Sequence, residues 1–311
     1  NTLVDEVSMA LPGTLPVVNE TAVEYAMMIG MAINCNIARI TKFDRKNYTY
    51  PDLMKGYQIT QMDEPICYEG YVDLPIEDSV RVRINRVHME EDVARLIHVE
   101  GPRGGTVHSL IDINRAGTPL MEVVTEPDMH TSEQVESYIN NLQHIIRYLG
   151  VGTANMEEGS FRCDANISVR PKGMKELTTK VEVKNMNRVR AVVRAVEYEI
   201  ERQIAANENG ERIVQETRGW DDGKGITISQ RSKEEANDYR YFPEPDIPPL
   251  IISEEWIERT QAAMPELPIP RKARFVSEWG LSEYDADLLT VLRSTADYFE
   301  SVCEGVKALS T

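Results

Sequence analysis

The sequence has little positive charge. Lys and Arg total 34 against 51 Asp and Glu, which leaves a formal net charge of −17. A surface this acidic repels nucleic acid, anionic lipid and nucleotides over most of its extent. A partner that carries phosphate therefore has to be held locally, by a metal ion or by a few well-placed cations.

Membrane and disulfide signatures are also missing. No run approaches the roughly 18 apolar residues of a membrane span, and no charged-then-apolar signal segment opens the chain. We therefore expect a cytoplasmic protein with no membrane partner. The 4 cysteines lie far apart without a CxxC pair, which disfavours a zinc knot or a disulfide framework.

The common signatures of nucleotide-binding and hydrolytic enzymes are absent as well. The chain has no GxxxxGK[ST] loop and no GxGxxG after a strand, so P-loop and Rossmann-type phosphate binding are not indicated. It has neither HExxH nor GxSxG, which disfavours zinc peptidases and serine hydrolases.

What is present indicates a globular protein of ordinary composition. The 311 residues are 41% hydrophobic and 27% charged, which excludes collagen-like and wholly disordered chains. This length predicts one large unit with a smaller appendage, or two domains. Because the chain begins at Asn1 and ends at Thr311 inside an amphipathic pattern, we expect both ends to be cut from a longer protein.

Helices are predicted where a capping residue precedes apolar residues at helical spacing. Asn19 starts one such segment. Thr131, with Gln134 three residues on, forms a capping box before a long apolar stripe that Gly150 ends. Further stripes begin near Asn187 and at Ser253.

Strands are predicted where apolar and polar residues alternate. The clearest alternation is FRCDANISVR, residues 161–170, and shorter ones surround Val82 and Val183. Half-buried strands interspersed with helices favour an α+β fold, with an antiparallel sheet and helices on one face, over a parallel doubly wound sheet. The proline-rich run PELPIPRK predicts a connector that excludes helix, so we expect domains at residues 1–264 and 265–311.

Four stretches carry carboxylates at or near strands. HMEED, residues 88–92, is either a solvated turn or part of a site. Glu122, in PLMEVVTEPD, lies in a run that is apolar on both sides, so burial is expected with either a pairing cation such as Arg115 or a metal ion. The stretches NMEEGSFRCDAN and TKVEVKN put carboxylates beside Arg162 and Lys184.

Two stretches combine basic with aromatic residues. KFDRKNYTYPD and NDYRYFPEPDIPPL are either loops fixed by aromatic packing or segments that position a nucleotide or an RNA end by stacking.

Taken together, carboxylates at strand ends mixed with lysine and arginine are what a hard divalent cation and a phosphate chain require.

These motifs resemble a known family. Six stretches together are similar to the GatB family, the B subunit of the glutamyl-tRNA(Gln)/aspartyl-tRNA(Asn) amidotransferase. They are IDINRAGTPLMEVVTEPD, KFDRKNYTYPDLMKGYQIT, HMEED, NMEEGSFRCDANISVRP, QETRGW and DYRYFPEPDIPPL. The resemblance implies an antiparallel-sheet catalytic cradle like that of glutamine synthetase, followed by the start of a helical domain.

The resemblance also implies an activity. With ATP and Mg²⁺, such a protein phosphorylates the side-chain carboxylate of Glu-tRNA(Gln) or Asp-tRNA(Asn), and ammonia then displaces the phosphate to form Gln-tRNA(Gln) or Asn-tRNA(Asn). The implied partners are the amidase, or A subunit, which supplies ammonia from glutamine, the small C subunit, and the misacylated tRNA.

Site residues follow from the resemblance by position. Glu91 and Glu122 are the expected magnesium ligands. Lys46 and Lys184 would neutralise phosphate charge, and the remaining catalytic candidates are Arg162, Asp164 and Glu182.

Three features depart from the family pattern. The family's first strand, GLEVHVEL, is absent, and so is its C-terminal tail domain. Where many members carry CPVC, this sequence has Asp5 and Ser8 in VDEVSMALPG, so we expect no zinc. A binding scaffold without chemistry and a metal-dependent phosphohydrolase are the alternative functions.

Overall fold

The computed structural model describes residues 1–76, 79–101, 105–232 and 239–310. Asp238, at the start of DYRYFPEPDIPPL, and Thr311 lie outside this part of the chain. The helices are α1 (Glu20–Ala32), α2 (Ser132–Leu149), α3 (Val189–Glu208), α4 (Glu254–Ala263), α5 (Pro268–Trp279), α6 (Glu283–Thr290) and α7 (Arg293–Ser310).

The described strands range from 2 to 11 residues, and most pairs are antiparallel. They are β1 (Asn36–Ile37), β2 (Ile40–Thr41), β3 (Asp44–Asn47), β4 (Tyr57–Thr60), β5 (Cys67–Asp73), β6 (Arg81–Glu91), β7 (Arg95–Glu100), β8 (Thr106–Asp112), β9 (Pro119–Thr125), β10 (Ala165–Ile167), β11 (Val181–Lys184), β12 (Glu216–Asp221), β13 (Ile226–Ser232), β14 (Arg240–Pro243) and β15 (Leu250–Ile251).

The chain forms two compact units. The first comprises Asn1–Val72, Arg81–Asp128 and Asn237–Ala263, and the second comprises Asp73–Val80, Met129–Ala236 and Met264–Thr311. The α+β class is confirmed, because helices and several antiparallel sheets occur together. The domains at residues 1–264 and 265–311 stay a prediction.

The first unit contains a sheet in the order β1-β5-β6-β9 and another in the order β14-β3-β4. Helix α1 packs on β1 and β6. Most of its apolar residues, and those of β6, are buried, because each element presents one apolar side to the other. Asn19 caps α1 as predicted, since its side chain accepts a hydrogen bond from Ala22 N–H at 3.3 Å.

The second unit contains the sheet β10-β11-β12-β13, in which β11 and β12 are parallel. Helix α3 packs on β10 and β13, and α2 packs on α3. Thr131 caps α2 and Gly150 ends it in the left-handed conformation, as predicted. The Gln134 side chain, however, accepts from His130 N–H at 2.6 Å and so reaches one residue further back than a capping box does.

Two predicted boundaries are wrong. The run PELPIPRK is not a pure connector, because α5 begins at Pro268. Proline is tolerated there because the first N–H groups of a helix have no partner within the helix. The strand predicted over residues 161–170 is only Ala165–Ile167. Phe161 N–H bonds to Asn155 O, and Val169 N–H bonds to the Gln203 side chain.

Among the described residues, no helix is both long enough and apolar enough to span a membrane.

Candidate active site

A bulge in β6 decides which side chains face the candidate site. Ile84 pairs with Thr125 and Arg86 pairs with Val124, so Asn85 is an extra residue on this strand. The buried apolar residues of β6 therefore change from even numbers, Val82 and Ile84, to odd numbers, at 87 and 89. Bulges of this kind are common beside active sites because they re-aim side chains.

Beyond the bulge, His88 and Glu90 share one side of β6, and Glu122 of β9 lies opposite His88. The potential ligand atoms of these three residues all lie within 4.8 Å of one another. His88 Nε2 is 3.3 Å from Glu90 Oε1 and 3.8 Å from Glu122 Oε2. Two carboxylates at this separation suit a hard divalent cation, which binds through oxygen.

Glu90 is held by polar neighbours from β4. Its Oε1 accepts from the Thr60 hydroxyl at 2.8 Å, and its Oε2 accepts from Gln58 Nε2 at 3.3 Å. Burial raises the pKa of Glu90, but the hydrogen bond from His88 and the charge of Lys46 lower that pKa by more, so the net shift is downward. The carboxylate is therefore kept ionised and fixed in place.

Glu91 does not meet Glu122, so the predicted convergence of these two residues is wrong. Glu91 Oε2 pairs with Lys55 Nζ at 2.6 Å, and Oε1 accepts from Ile59 N–H at 2.8 Å. Successive residues of a strand point to opposite sides, and the bulge gives Glu90, not Glu91, the side shared with Glu122. HMEED is also not a solvated turn, since it continues β6 and its Glu91 and Asp92 are buried.

Glu122 was expected to be buried, and that is wrong as well. Its side chain is 57% exposed, and β9, which carries it, is the edge strand of its sheet. Arg115, considered as its pairing cation, instead lies 3.0 Å from Asp92. An exposed carboxylate beside a buried one leaves an open side from which a ligand can enter.

Lys46 lies on the same side of the site. It pairs in register with Tyr241 of β14 and with Gln58 of β4, and its ammonium lies 5.0 Å from the centre of the Tyr239 ring. Burial and, after it, the charge of Glu90 raise the pKa of Tyr241. Tyr239 and Tyr241 stay 41% and 37% exposed, so aromatic surface and a cation lie beside the carboxylates.

The other predicted site residues belong to the second unit. Lys184 Nζ lies 2.7 Å from Asp164 Oδ2 and 3.3 Å from Glu182 Oε1, so these strands do bring the predicted charges together. Burial lowers the pKa of Lys184, but the two carboxylates raise it by more. Arg162 is exposed and precedes β10.

Three residues of the site were missed from the sequence: Arg86, His88 and Glu90. Arg86 Nε donates to His88 Nδ1 at 3.3 Å, so a cation adjoins the cluster. If the alternation of apolar and polar residues around Val82 had been continued through HMEED, these even-numbered residues would have been predicted on one side of the strand. The bulge that turns this side toward Glu122 has no obvious mark in the sequence.

At the position of the family's CPVC motif, Asp5 and Ser8 interact with each other. The Ser8 hydroxyl donates to Asp5 Oδ2 at 2.7 Å, and Ser8 N–H donates to Oδ1 at 2.9 Å. These bonds lower the pKa of Asp5. The expected absence of zinc stays a prediction.

Comparison with known proteins identifies the family. Residues 1–258 match the GatB/GatE catalytic domain. The chain belongs to the GatB/GatE family. The GatB/GatE match covers every strand of the first sheet, including those that carry His88, Glu90 and Glu122.

Curated relatives agree with this assignment. Proteins named as the B subunit of aspartyl/glutamyl-tRNA(Asn/Gln) amidotransferase are 58% identical over 97% of this chain in Dehalococcoides mccartyi, and 52% identical over 98% of it in Carboxydothermus hydrogenoformans. A third, from Thermomicrobium roseum, is 52% identical over 100% of the chain. The chain spans 61%, 63% and 64% of the length of these relatives.

Proposed function

We propose that this chain is the catalytic part of an ATP-dependent amidotransferase. It would phosphorylate the side-chain carboxylate of Glu-tRNA(Gln) or Asp-tRNA(Asn), and it would direct ammonia to the activated carbonyl. The bond from the acyl carbon to the phosphate oxygen breaks as the carbon–nitrogen bond forms, so the products are an amide, ADP and phosphate. The relatives' names and the family membership support this proposal.

One observation carries the proposal in the structure. Glu90 and Glu122 lie together on a side that also presents Lys46 and two exposed tyrosines. This donor set fits Mg²⁺, because Glu90 and Glu122 offer carboxylate oxygens to it. When bound, Mg²⁺ would neutralise phosphate charge and align the oxygens for transfer.

The chain's own residues would do the rest. Lys46 would hold a phosphate oxygen through its ammonium, which adds positive charge where negative charge develops during transfer. Tyr239 and Tyr241 would position the nucleotide base by stacking. In the second unit, Lys184, Arg162, Asp164 and Glu182 remain predicted catalytic residues.

Further parts of the proposal concern what lies around the site. We propose that the fold of the catalytic part resembles glutamine synthetase, and that the working enzyme contains an amidase, the A subunit, and a small C subunit. The amidase would supply ammonia from glutamine, and the complex would act on tRNA in the cytoplasm.

The test uses the full-length protein assembled with its partner proteins. Replacing Glu122 by Gln should lower the rate of ATP cleavage that depends on misacylated tRNA by about 100-fold or more. The reason is that the metal ion would lose a carboxylate ligand, and the negative charge of the transition state would be stabilised less. Glutaminase activity should stay unchanged. The control, Glu126→Gln, removes the same charge just beyond the same strand and should behave as the wild type.

Three other results would count against the proposal. Unchanged ATP cleavage in Glu122→Gln would refute the metal assignment. ATP turnover by the wild type without acyl-tRNA would favour a phosphohydrolase. Absence of any ATP turnover in the complete wild-type assembly would favour a scaffold.

A further inference from the structure

The cluster contains a histidine whose two ring nitrogens have different partners. His88 is buried, with 5% of its side chain exposed. Its Nδ1 lies 3.3 Å from Arg86 Nε, and the guanidinium hydrogen points at it. Its Nε2 lies 3.3 Å from Glu90 Oε1 and 3.8 Å from Glu122 Oε2.

These contacts fix the position of the imidazole proton. An arginine side chain is always protonated and can only donate, so His88 Nδ1 must be the acceptor and carries no hydrogen. A neutral imidazole has one N–H, and here that hydrogen has to lie on Nε2. An Nε2–H group donates to Glu90 and has no lone pair to give to a metal ion.

We infer that His88 is not a metal ligand but a positioning residue that holds Glu90 beside Glu122 through Nε2–H, and that Arg86 fixes this tautomer. The inference rests on the proposed function for the presence of a cation at the two carboxylates. Its consequence is metal selectivity, because the one nitrogen in the described cluster of His88, Glu90 and Glu122 is protonated, so this cluster offers oxygen alone.

The chemistry of the two ion classes makes that consequence specific. Magnesium and manganese take carboxylate and hydroxyl oxygens, whereas zinc binds imidazole nitrogen readily. For zinc to use His88 Nε2, the proton would have to move to Nδ1, where it would oppose the Arg86 Nε–H. Arg86 thus disfavours zinc without contacting the bound cation.

The arrangement reverses the usual role of the partner of a histidine ligand. A metal-bound histidine ordinarily donates its second N–H to a carboxylate or carbonyl. At His88 the second nitrogen faces a donor, and the carboxylates lie on the side where a metal would bind. The order Arg86, His88, Glu90 along one side of β6 produces this polarity.

The decisive experiment is nuclear magnetic resonance of ¹⁵N-histidine in the full-length protein, with His88 assigned through His88→Gln. Without metal, we expect the His88 imidazole to carry its proton on Nε2 and none on Nδ1. Saturation with Mg²⁺ should leave this tautomer unchanged. An Nδ1–H tautomer without metal, or loss of the Nε2 proton on addition of Mg²⁺, would overturn the inference.

Matched substitutions at position 88 give a second readout. Glutamine places an amide N–H where Nε2–H lies, whereas asparagine places its amide nearer the Nδ1 position. Mn²⁺ binding measured by electron paramagnetic resonance should be close to wild type in His88→Gln and about 10-fold weaker or more in His88→Asn. Equal losses in both variants would indicate a ligand and would contradict the inference.

Substitutions at Arg86 test selectivity. In Arg86→Met the proton can move to Nδ1, so Zn²⁺ affinity should rise by about 10-fold or more, and ¹⁵N spectra should show the new tautomer. Arg86→Lys keeps the charge and controls for simple electrostatics. A rise in Arg86→Met without a rise in Arg86→Lys would attribute the effect to charge and overturn the role of the Nε–H.

The role of His88 and the metal site are tested separately. The tautomer measured without metal decides the inference about His88 and Arg86. Mn²⁺ binding to the wild type decides the metal site of the proposed function.

Discussion

At the scale of single residues, one ion pair anchors the strand that carries Tyr241. Arg45 Nε and Nη2 donate to the Glu244 carboxylate at 2.7 and 2.8 Å, and the Glu244 side chain is fully buried. The guanidinium also lies 4.2 Å from the centre of the Tyr57 ring. A buried charge of this kind is costly to leave unpaired.

Replacing Arg45 by Met should therefore lower the free energy of unfolding by about 3–5 kcal/mol, because Glu244 would remain buried without its cation. Urea unfolding followed by circular dichroism measures this. The control is Arg39→Met, which removes an exposed pair with Glu254, 53% and 62% exposed. That change should cost about 1 kcal/mol or less, and a similar cost for both would contradict the argument.

Glu216 gives the molecule a pH-dependent contribution to stability. Burial raises its pKa, but the hydrogen bonds from Ser229 and Arg218 lower it by more, so the folded-state pKa lies below the ordinary value of 4.5. A lowered carboxyl pKa stabilises the fold above the ordinary value, and this contribution is lost as the pH falls through the lowered one.

Glu216→Gln should accordingly destabilise the protein at pH 7, and the difference from wild type should shrink as the pH falls below 4.5. Urea unfolding at a series of pH values provides the measurement. Glu211→Gln, at an exposed position before the same strand, should show no such trend. A difference that grows toward low pH would reverse the sign and refute the assignment.

At the scale of secondary-structure elements, the β6 bulge accommodates one extra residue, Asn85, between Ile84 and Val87, which both point into the core. Asn85 has no partner in the described register with β9, and its side chain donates to Glu126 at 2.8 Å. On both sides of the bulge the apolar residues point into the core, because the extra residue absorbs one step of alternation.

Deleting Asn85 should therefore keep the cluster on one side, since Ile84, Arg86 and Val87 would then alternate without a bulge. Deleting Val87 should turn His88 to the other side of β6, away from Glu122, because a one-residue slip reverses every later side chain. The circular dichroism spectrum of the folded protein and Mn²⁺ binding should both be retained when Asn85 is deleted, and both should be lost when Val87 is deleted. Equal loss in the two variants would show that the bulge itself is required.

At the scale of the whole molecule, the net charge of −17 limits what this chain can bind without help. Acidic surfaces repel the phosphates of RNA, and local cations such as Lys46 can hold only a few of them. The relatives are longer than this chain, which spans 61% of the Dehalococcoides mccartyi protein.

We expect residues 1–311 alone to bind misacylated tRNA at least about 100-fold more weakly than the full-length protein, because linked contacts multiply affinity. Fluorescence anisotropy with labelled tRNA at fixed ionic strength measures both. If residues 1–311 bound the tRNA as tightly as the full-length protein does, the prediction would be wrong, and residues 1–311 would supply the main tRNA contacts.

The family, the α+β class and several helix starts could be predicted from the sequence. Asn19, Thr131 and Gly150 act within one turn of their own position, so local chemistry decides them. The motifs around Glu122 are equally local. Element ends were less predictable, as at Pro268, where proline begins a helix.

The sequence by itself thus determined which residues are available for chemistry: carboxylates at strands, few cations, and aromatic residues near Lys46. Only the tertiary structure decided which of them meet. Glu90 rather than Glu91 joins Glu122, and Arg86 and His88 enter the site, because strand pairing and one unpaired residue at Asn85 set the side to which each side chain points. That choice depends on pairing between strands that are distant in the sequence, such as His88 with Glu122, and no local sequence pattern predicts it.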